Sequence, residues 1–174
     1  ELPPSQNKRG PLEETADGFR AAVAASDPSR PADRFLTATY CGIAPAVARE
    51  LAYRAGGAVD APIGDCASAL CERFLAVMED IRAGRFSPCM VSENGVPTEY
   101  AYLRLEQYGA GMEITEFDRP GALLDAFFAA RDRDRHIRQR AQDILHILTN
   151  ADARIRKKLD LQRAELAECE RGAE

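Results

Sequence analysis

The chain has 174 residues, 45% hydrophobic and 29% charged, enough to bury one good core or two small ones and unlike the composition of a disordered segment. A net charge of −5, from 23 Lys/Arg and 28 Asp/Glu, argues by itself against a nucleic-acid binder. Five cysteines in no C-x-x-C spacing, with only two histidines, give no zinc site and read as free thiols of a reducing, cytoplasmic compartment. No run of 18 apolar residues is present to span a membrane, and no signal peptide is visible. The chain opens on Glu1 rather than methionine and stops in mid-pattern, so it is expected to be a piece of something longer.

Residues 1–12, with Pro3, Pro4, Gly10 and Pro11, read as a linker. Residues 13–26 are helix-like, with Phe19 and Val23 one turn apart, and "DPSRPAD" at 27–33 ends that segment. Phe35 to Cys41 predicts a short helix, and Gly42-Ile43-Ala44-Pro45 a tight link to a second helix running from Pro45 to about Ala55. Gly56-Gly57 stops the second helix, and 65–83 forms another, with Leu70, Phe74, Val77, Met78 and Ile81 on one face. Short runs rich in Val, Tyr and Leu then predict strands near 88–92, 99–105 and 112–116, with Asn94-Gly95 as a hairpin turn.

No glycine or proline occurs between Ala122 and Arg171, which predicts one helix of about 50 residues, roughly 75 Å long. Counted from Arg131, Ile137, Ile144, Leu148, Ile155, Leu159 and Leu166 fall on a stripe about 60° wide, the pattern of a coiled-coil seam. Arg131, Arg135, Arg138, Arg156 and Arg163 gather on a separate edge, centred about 110° around the helix from the stripe. The seam calls for a partner helix, either outside this chain or in a second copy forming a homodimer.

Charge is unevenly placed: residues 131–158 hold nine Lys/Arg against four Asp/Glu, whereas residues 1–130 hold 12 against 19. Arg131, Arg135, Arg138, Arg156, Lys157 and Lys158 are therefore candidate contacts to a nucleic-acid backbone, and Arg guanidinium groups also stack on exposed bases. The competing reading is a solvated helix face. The Gly42–Pro45 link resembles a helix-hairpin-helix motif, whose amides and second-helix N-terminus can face a phosphate, with Arg49 as a nearby cation. Ala44 stands where that motif usually has a second glycine, and Glu50 and Arg54 are spaced to pair with each other, so packing is the favoured reading of the hairpin and phosphate contact the alternative. Catalysis finds no support: His136 and His146 are ten residues, roughly 15 Å, apart along the helix, and no nucleophile–base pair, phosphate loop or cofactor motif is present.

Three motifs in order carry a family resemblance. "DRFLTATYCGIAPAVARELAYRAG" is similar to a stretch of the NFACT proteins, whose bacterial members are called fibronectin-binding protein A or RqcH; "PPSQNK" resembles the linker before it, and the segment from "LLDAFFAARDRDRH" to "AELAE" resembles the family's first coiled-coil arm. The resemblance implies an α+β, mainly α fold: a linker at 1–12, a helix-hairpin-helix module at 13–84, a small antiparallel β segment at 85–119 completing a split N-terminal domain, and a coiled-coil arm at 120–174. It further implies a non-enzymatic part of a cytoplasmic ribosome quality-control factor, with the stalled large ribosomal subunit and tRNA as partners and alanine tailing of the stalled chain as the outcome. The family's Asp-Arg pair for tRNA recognition would precede this segment. A fibronectin- or fibrinogen-binding adhesin and a coiled-coil scaffold without an RNA role are the alternatives.

Overall fold

A computed structural model describes residues 7–172. One compact unit extends to Ala130 and a second begins at Arg131. The elements are α1 (Ala16–Ala24), α2 (Ala32–Thr39), α3 (Pro45–Gly56), α4 (Ile63–Arg82), β1 (Cys89–Glu93), β2 (Val96–Ala101), β3 (Glu113–Glu116) and α5 (Pro120–Gly172). This is the α+β, mainly α architecture expected.

Local chemistry sets the helix ends. Thr15 caps α1 by accepting from the Gly18 amide at 3.1 Å. In the break before α2, Asp27 accepts from both the amide and the hydroxyl of Ser29, which fixes a tight turn. The starts of α2 and α4 are then stitched together: Ala32 N donates to Ala61 O at 2.9 Å and Ile63 N to Arg30 O at 2.9 Å. Helix α3 ends where Gly57 takes a left-handed conformation, φ 76°, and its amide returns to Tyr53 O.

The core of the first unit is aromatic at its centre. Phe19 of α1 lies 5.7 Å from Phe35 of α2 and 5.1 Å from Phe74 of α4, and Tyr40 lies 4.7 Å from Phe74, centroid to centroid. Leu51, Ile63, Leu70 and Met78 extend this core toward the sheet, where Cys89, Val91 and Leu105 are buried in the same cluster. The strands therefore share a core with the helices.

The sheet is antiparallel in the order β2-β1-β3. Asn94 and Gly95, both at positive φ (52° and 77°), make the two-residue turn the sequence predicts. The second strand differs from expectation, spanning 96–101 rather than 99–105. That turn forces Glu93 opposite Val96, so pairing begins at once. A bulge after Val91 absorbs Pro97, which tolerates an edge strand, and the Thr98 hydroxyl donates to Val91 O at 3.2 Å. After Ala101 the chain leaves the sheet.

The described part of the expected linker is docked rather than free. Arg9 N donates to Thr39 O at 2.8 Å and Cys41 N to Arg9 O at 3.0 Å, and a 3-10 turn follows at Pro11–Glu13. Arg82, at the end of α4, donates to Leu12 O. Residues 1–6 lie outside the described residues.

Candidate nucleic-acid interface

Gly42 in the hairpin has φ 71°, and no atom lies within 4 Å of where its Cβ would be. The glycine is thus required by backbone conformation rather than by space. Ala44 is extended and Pro45 opens α3 with no side-chain cap, leaving the first amides of α3 without intrahelical partners. Their surroundings are apolar: Ala44 and Val47 line a cavity of about 220 Å³ with Tyr100, Ala101, Tyr102, Pro120, Leu123 and Leu124. On the other side, Gly42 and Ile43 border a cavity of about 470 Å³ with Leu12, Met78, Ile81 and Tyr102.

The cations beside the hairpin are committed. Arg49 meets Glu99 of β2 at 3.5 Å, and its Nε is buried with no hydrogen-bond partner. Arg54 donates from Nε to the fully buried Glu50 at 2.6 Å and from Nη2 to Arg104 O at 2.6 Å. Glu50 Oε2 in turn accepts from the amides of Glu106 and Gln107 at 2.8 and 3.0 Å. The i,i+4 spacing of Glu50 and Arg54 anticipates their pairing; their reach to a loop more than 50 residues away had no local signal. The hairpin thus borders largely apolar walls, and the cations beside it are held in ion pairs.

The second unit presents the opposite surface. Arg135 approaches Asp132 at 3.8 Å, Arg138 contacts Asp134 at 2.8 Å and Arg156 contacts Asp152 at 2.8 Å, with the arginine side chains 73%, 70% and 76% exposed. Such exposed pairs within one helix contribute ~0.3–0.5 kcal/mol each, little enough for a phosphate to displace the carboxylate. Arg131 also has an interaction partner. Lys157 and Lys158 have no carboxylate within 4 Å among the described residues, nor do Arg133, Arg140, Arg154 and Arg163. The densest open positive charge is therefore the run from Arg154 to Lys158. Sequence reasoning chose Arg156, Lys157 and Lys158 from it and passed over Arg154, which is visible only by counting charge without regard to helix face.

Among the described residues no three His, Cys, Asp or Glu are grouped to hold a metal ion. Burial pushes the thiols of Cys66, Cys71 and Cys89 above their ordinary range, which keeps them protonated and unreactive. Among the described residues no helix is long and apolar enough to cross a membrane.

Comparison with known proteins places this geometry. The chain is 31% identical over 150 residues to the Rqc2 homolog RqcH of Bacillus subtilis (strain 168), a match that covers 86% of this chain and 24% of that protein. The chain thus spans about a quarter of its curated relative's length. The crystal structure of the fibrinogen binding protein from Staphylococcus aureus shares the fold with a TM-score of 0.54 at 21% identity, covering 74% of this chain and 44% of that one. The family described as NFACT N-terminal and middle domains matches residues 1–174, and the chain belongs to the NFACT family.

Proposed function

We propose that this chain is a non-enzymatic, RNA-contacting part of a ribosome quality-control factor of the RqcH kind. It would act in the cytoplasm and engage the large ribosomal subunit and tRNA in support of C-terminal alanine tailing. Kinship with RqcH supports the role. The observation that carries the RNA contact is the exposed run Arg154–Lys158 on α5, with Arg131, Arg135 and Arg138 one side of it. Guanidinium and ammonium groups on a solvent-exposed helix suit backbone phosphates and need no cavity. Arg49 and the Gly42–Pro45 hairpin hold the module together in this reading and are left out of the interface.

The adhesin alternative has no comparable support. Fibrinogen binding is said of the staphylococcal protein, and at 21% identity the likeness carries the fold alone. The experiment is a titration of the purified chain with tRNA and with large ribosomal subunits over a range of salt. Affinity should fall linearly in a log–log plot, because each neutralised phosphate releases counterions. Affinity unchanged by salt, or no binding at low salt, would overturn the proposal.

A further inference from the structure

Where α4 gives way to the sheet, a cavity of about 240 Å³ is lined by Arg54, Arg85, Arg104, Asp80 and Glu106. Its other walls are Val77, Ile81, Leu103, Ser87 and the half-buried ring of Tyr102. All of these residues belong to the first unit. Polar edges beside an aromatic ring and aliphatic side chains are the makings of a small-ligand site.

The charges nearly cancel. Arg85 donates from Nε to Asp80 at 2.9 Å, Arg54 is held by Glu50, and Arg104 pairs through Nη1 with Glu116. A free anion would have to displace a carboxylate at each guanidinium. The site therefore favours a neutral ligand that both donates and accepts hydrogen bonds.

The groups left over define that ligand. The Glu106 side chain is 54% exposed and has only Arg54, at 3.9 Å, near its carboxylate, so both oxygens can accept. Its backbone is fixed, because the Glu106 amide donates to Glu50 at 2.8 Å, and the carboxylate is presented from an anchored position. Arg104 spends only Nη1 among the described residues, which leaves Nε and Nη2 as donors. A pair of acceptors, a fork of donors and an aromatic face are the complement of guanine. Its N1–H and N2 amino group donate to a carboxylate, its O6 and N7 accept from a guanidinium, and its ring packs on tyrosine. Adenine turns a lone pair toward the carboxylate where guanine has N1–H. The volume is below the ~300 Å³ of pockets for drug-sized ligands, room for one ring system with its sugar and phosphate outside.

We propose that this cavity binds guanine, with Glu106 accepting from N1–H and the N2 amino group, Arg104 donating to O6 and N7, and Tyr102 against the ring. Two sources present that ring, a free guanine nucleotide and an unpaired guanosine of an RNA. The proposal needs no phosphate contact by α5 and stands apart from the function proposed above.

Titration calorimetry of the chain with guanosine monophosphate should show saturable binding, and adenosine monophosphate should bind at least about 10-fold more weakly, the worth of one hydrogen bond to a charged group. Inosine monophosphate, which lacks the N2 amino group, should fall between them. Glu106→Gln sets an amide donor against the donors of guanine and should weaken binding about 10-fold or more; Arg104→Gln should weaken it as well. Unchanged tyrosine near-ultraviolet circular dichroism would show that both variants are folded. Amide NMR shifts on adding guanosine monophosphate should centre on residues 85–87 and 102–106. A short single-stranded oligouridine with one central guanosine separates the sources: tighter binding than the mononucleotide assigns the site to RNA, equal binding to the free nucleotide, and both keep the proposal. No binding of mononucleotide or oligonucleotide at millimolar concentration would overturn it. Equal affinity for the guanine and adenine nucleotides, or guanine binding indifferent to Glu106→Gln, would overturn it too.

Discussion

The hydroxyl of Tyr40 donates to Oε2 of Glu14 at 2.9 Å, joining the end of α2 to the turn before α1 across 26 residues of chain. Glu14 is buried, and its carboxylate also accepts from Arg9 at 3.1 Å and from the Thr15 amide at 3.0 Å. Each lone pair facing inward thus has a donor. This cluster docks the segment that composition alone marks as a linker.

Tyr40→Phe should therefore lose about 2 kcal/mol, the usual worth of a hydrogen bond to a charged group. Urea denaturation at neutral pH measures it. The same substitution should alter the alkaline limb of the stability profile. Burial, and then the hydrogen bond to Glu14, raise the Tyr40 phenol above its ordinary value of 10.0. Burial raises the thiols of Cys66, Cys71 and Cys89 above 9.0. In each case the native state holds a proton that the unfolded chain releases, so stability is full at neutral pH and falls as pH rises past about 9. Tyr40→Phe should make the fall above about pH 10 shallower and leave the thiol part between about 9 and 10 in place. An identical slope in both proteins would count against Tyr40 as a contributor.

Glu50 should be the costliest single side chain to remove from the first unit. It is fully buried and joins α3 to the loop after β2 through Arg54 and the amides of Glu106 and Gln107. Glu50→Ala removes the close carboxylate of Arg54, leaving it Glu106 at 3.9 Å, and strips two amides of their acceptor, at an expected cost of about 3–5 kcal/mol. Glu50→Gln keeps one acceptor for the amides and should cost less. Urea midpoints rank the variants, and amide hydrogen exchange at Glu106 and Gln107 should accelerate in both. Protection retained there in Glu50→Ala would show that the loop is held by something else.

Two glycines test different constraints. A Cβ on Gly56 would lie 2.5 Å from the Cβ of Ala61, a short side chain that cannot swing aside. Gly56→Ala should cost about 1–3 kcal/mol through overpacking. Gly42→Ala meets no atom but must hold φ 71°, and should cost about 1–2 kcal/mol through backbone strain. Gly42→Asn, which tolerates that conformation better, should recover part of the loss, whereas Gly56→Asn should not. Thermal denaturation of the four variants separates the two mechanisms.

Legibility in the sequence followed the range of the forces involved. Helices α3, α4 and α5 lie within two residues of their predicted bounds, because periodicity, Pro45 and Gly57 act within a turn or two. Strand β2 was misplaced because "YAYLRL" has strand composition, whereas the Asn94-Gly95 turn and the capture of residues 106–107 by Glu50 decide where pairing starts and ends. Arg49 shows the same limit for the site: its ion pair with Glu99, 50 residues on, has no local signal in the sequence. The arm was easier to read, since its described seam residues are exposed and their helical period alone sets which face they share.

That exposure separates paired from unpaired cations on the arm, and salt dependence can tell them apart. Among the described residues Lys157 and Lys158 have no ion pair to break on reaching a phosphate, whereas Arg138 must first leave Asp134 at 2.8 Å. The double variant Lys157→Ala/Lys158→Ala should lower the slope of log affinity against log salt by about 1.4–1.8, depending on whether the RNA is single-stranded or helical. Arg138→Ala should lower it by less, since the contact it offers is already partly screened by its own carboxylate. Asp134→Ala should tighten binding at low salt, because it frees Arg138 and removes a repelling charge. Fluorescence anisotropy with labelled tRNA from about 50 to 300 mM salt measures all three over the range where counterion release dominates. Equal slopes for the double lysine variant and the parent would remove the Arg154–Lys158 run from the interface, and weaker binding by Asp134→Ala would show that the aspartate orders the arginine for contact instead of competing for it.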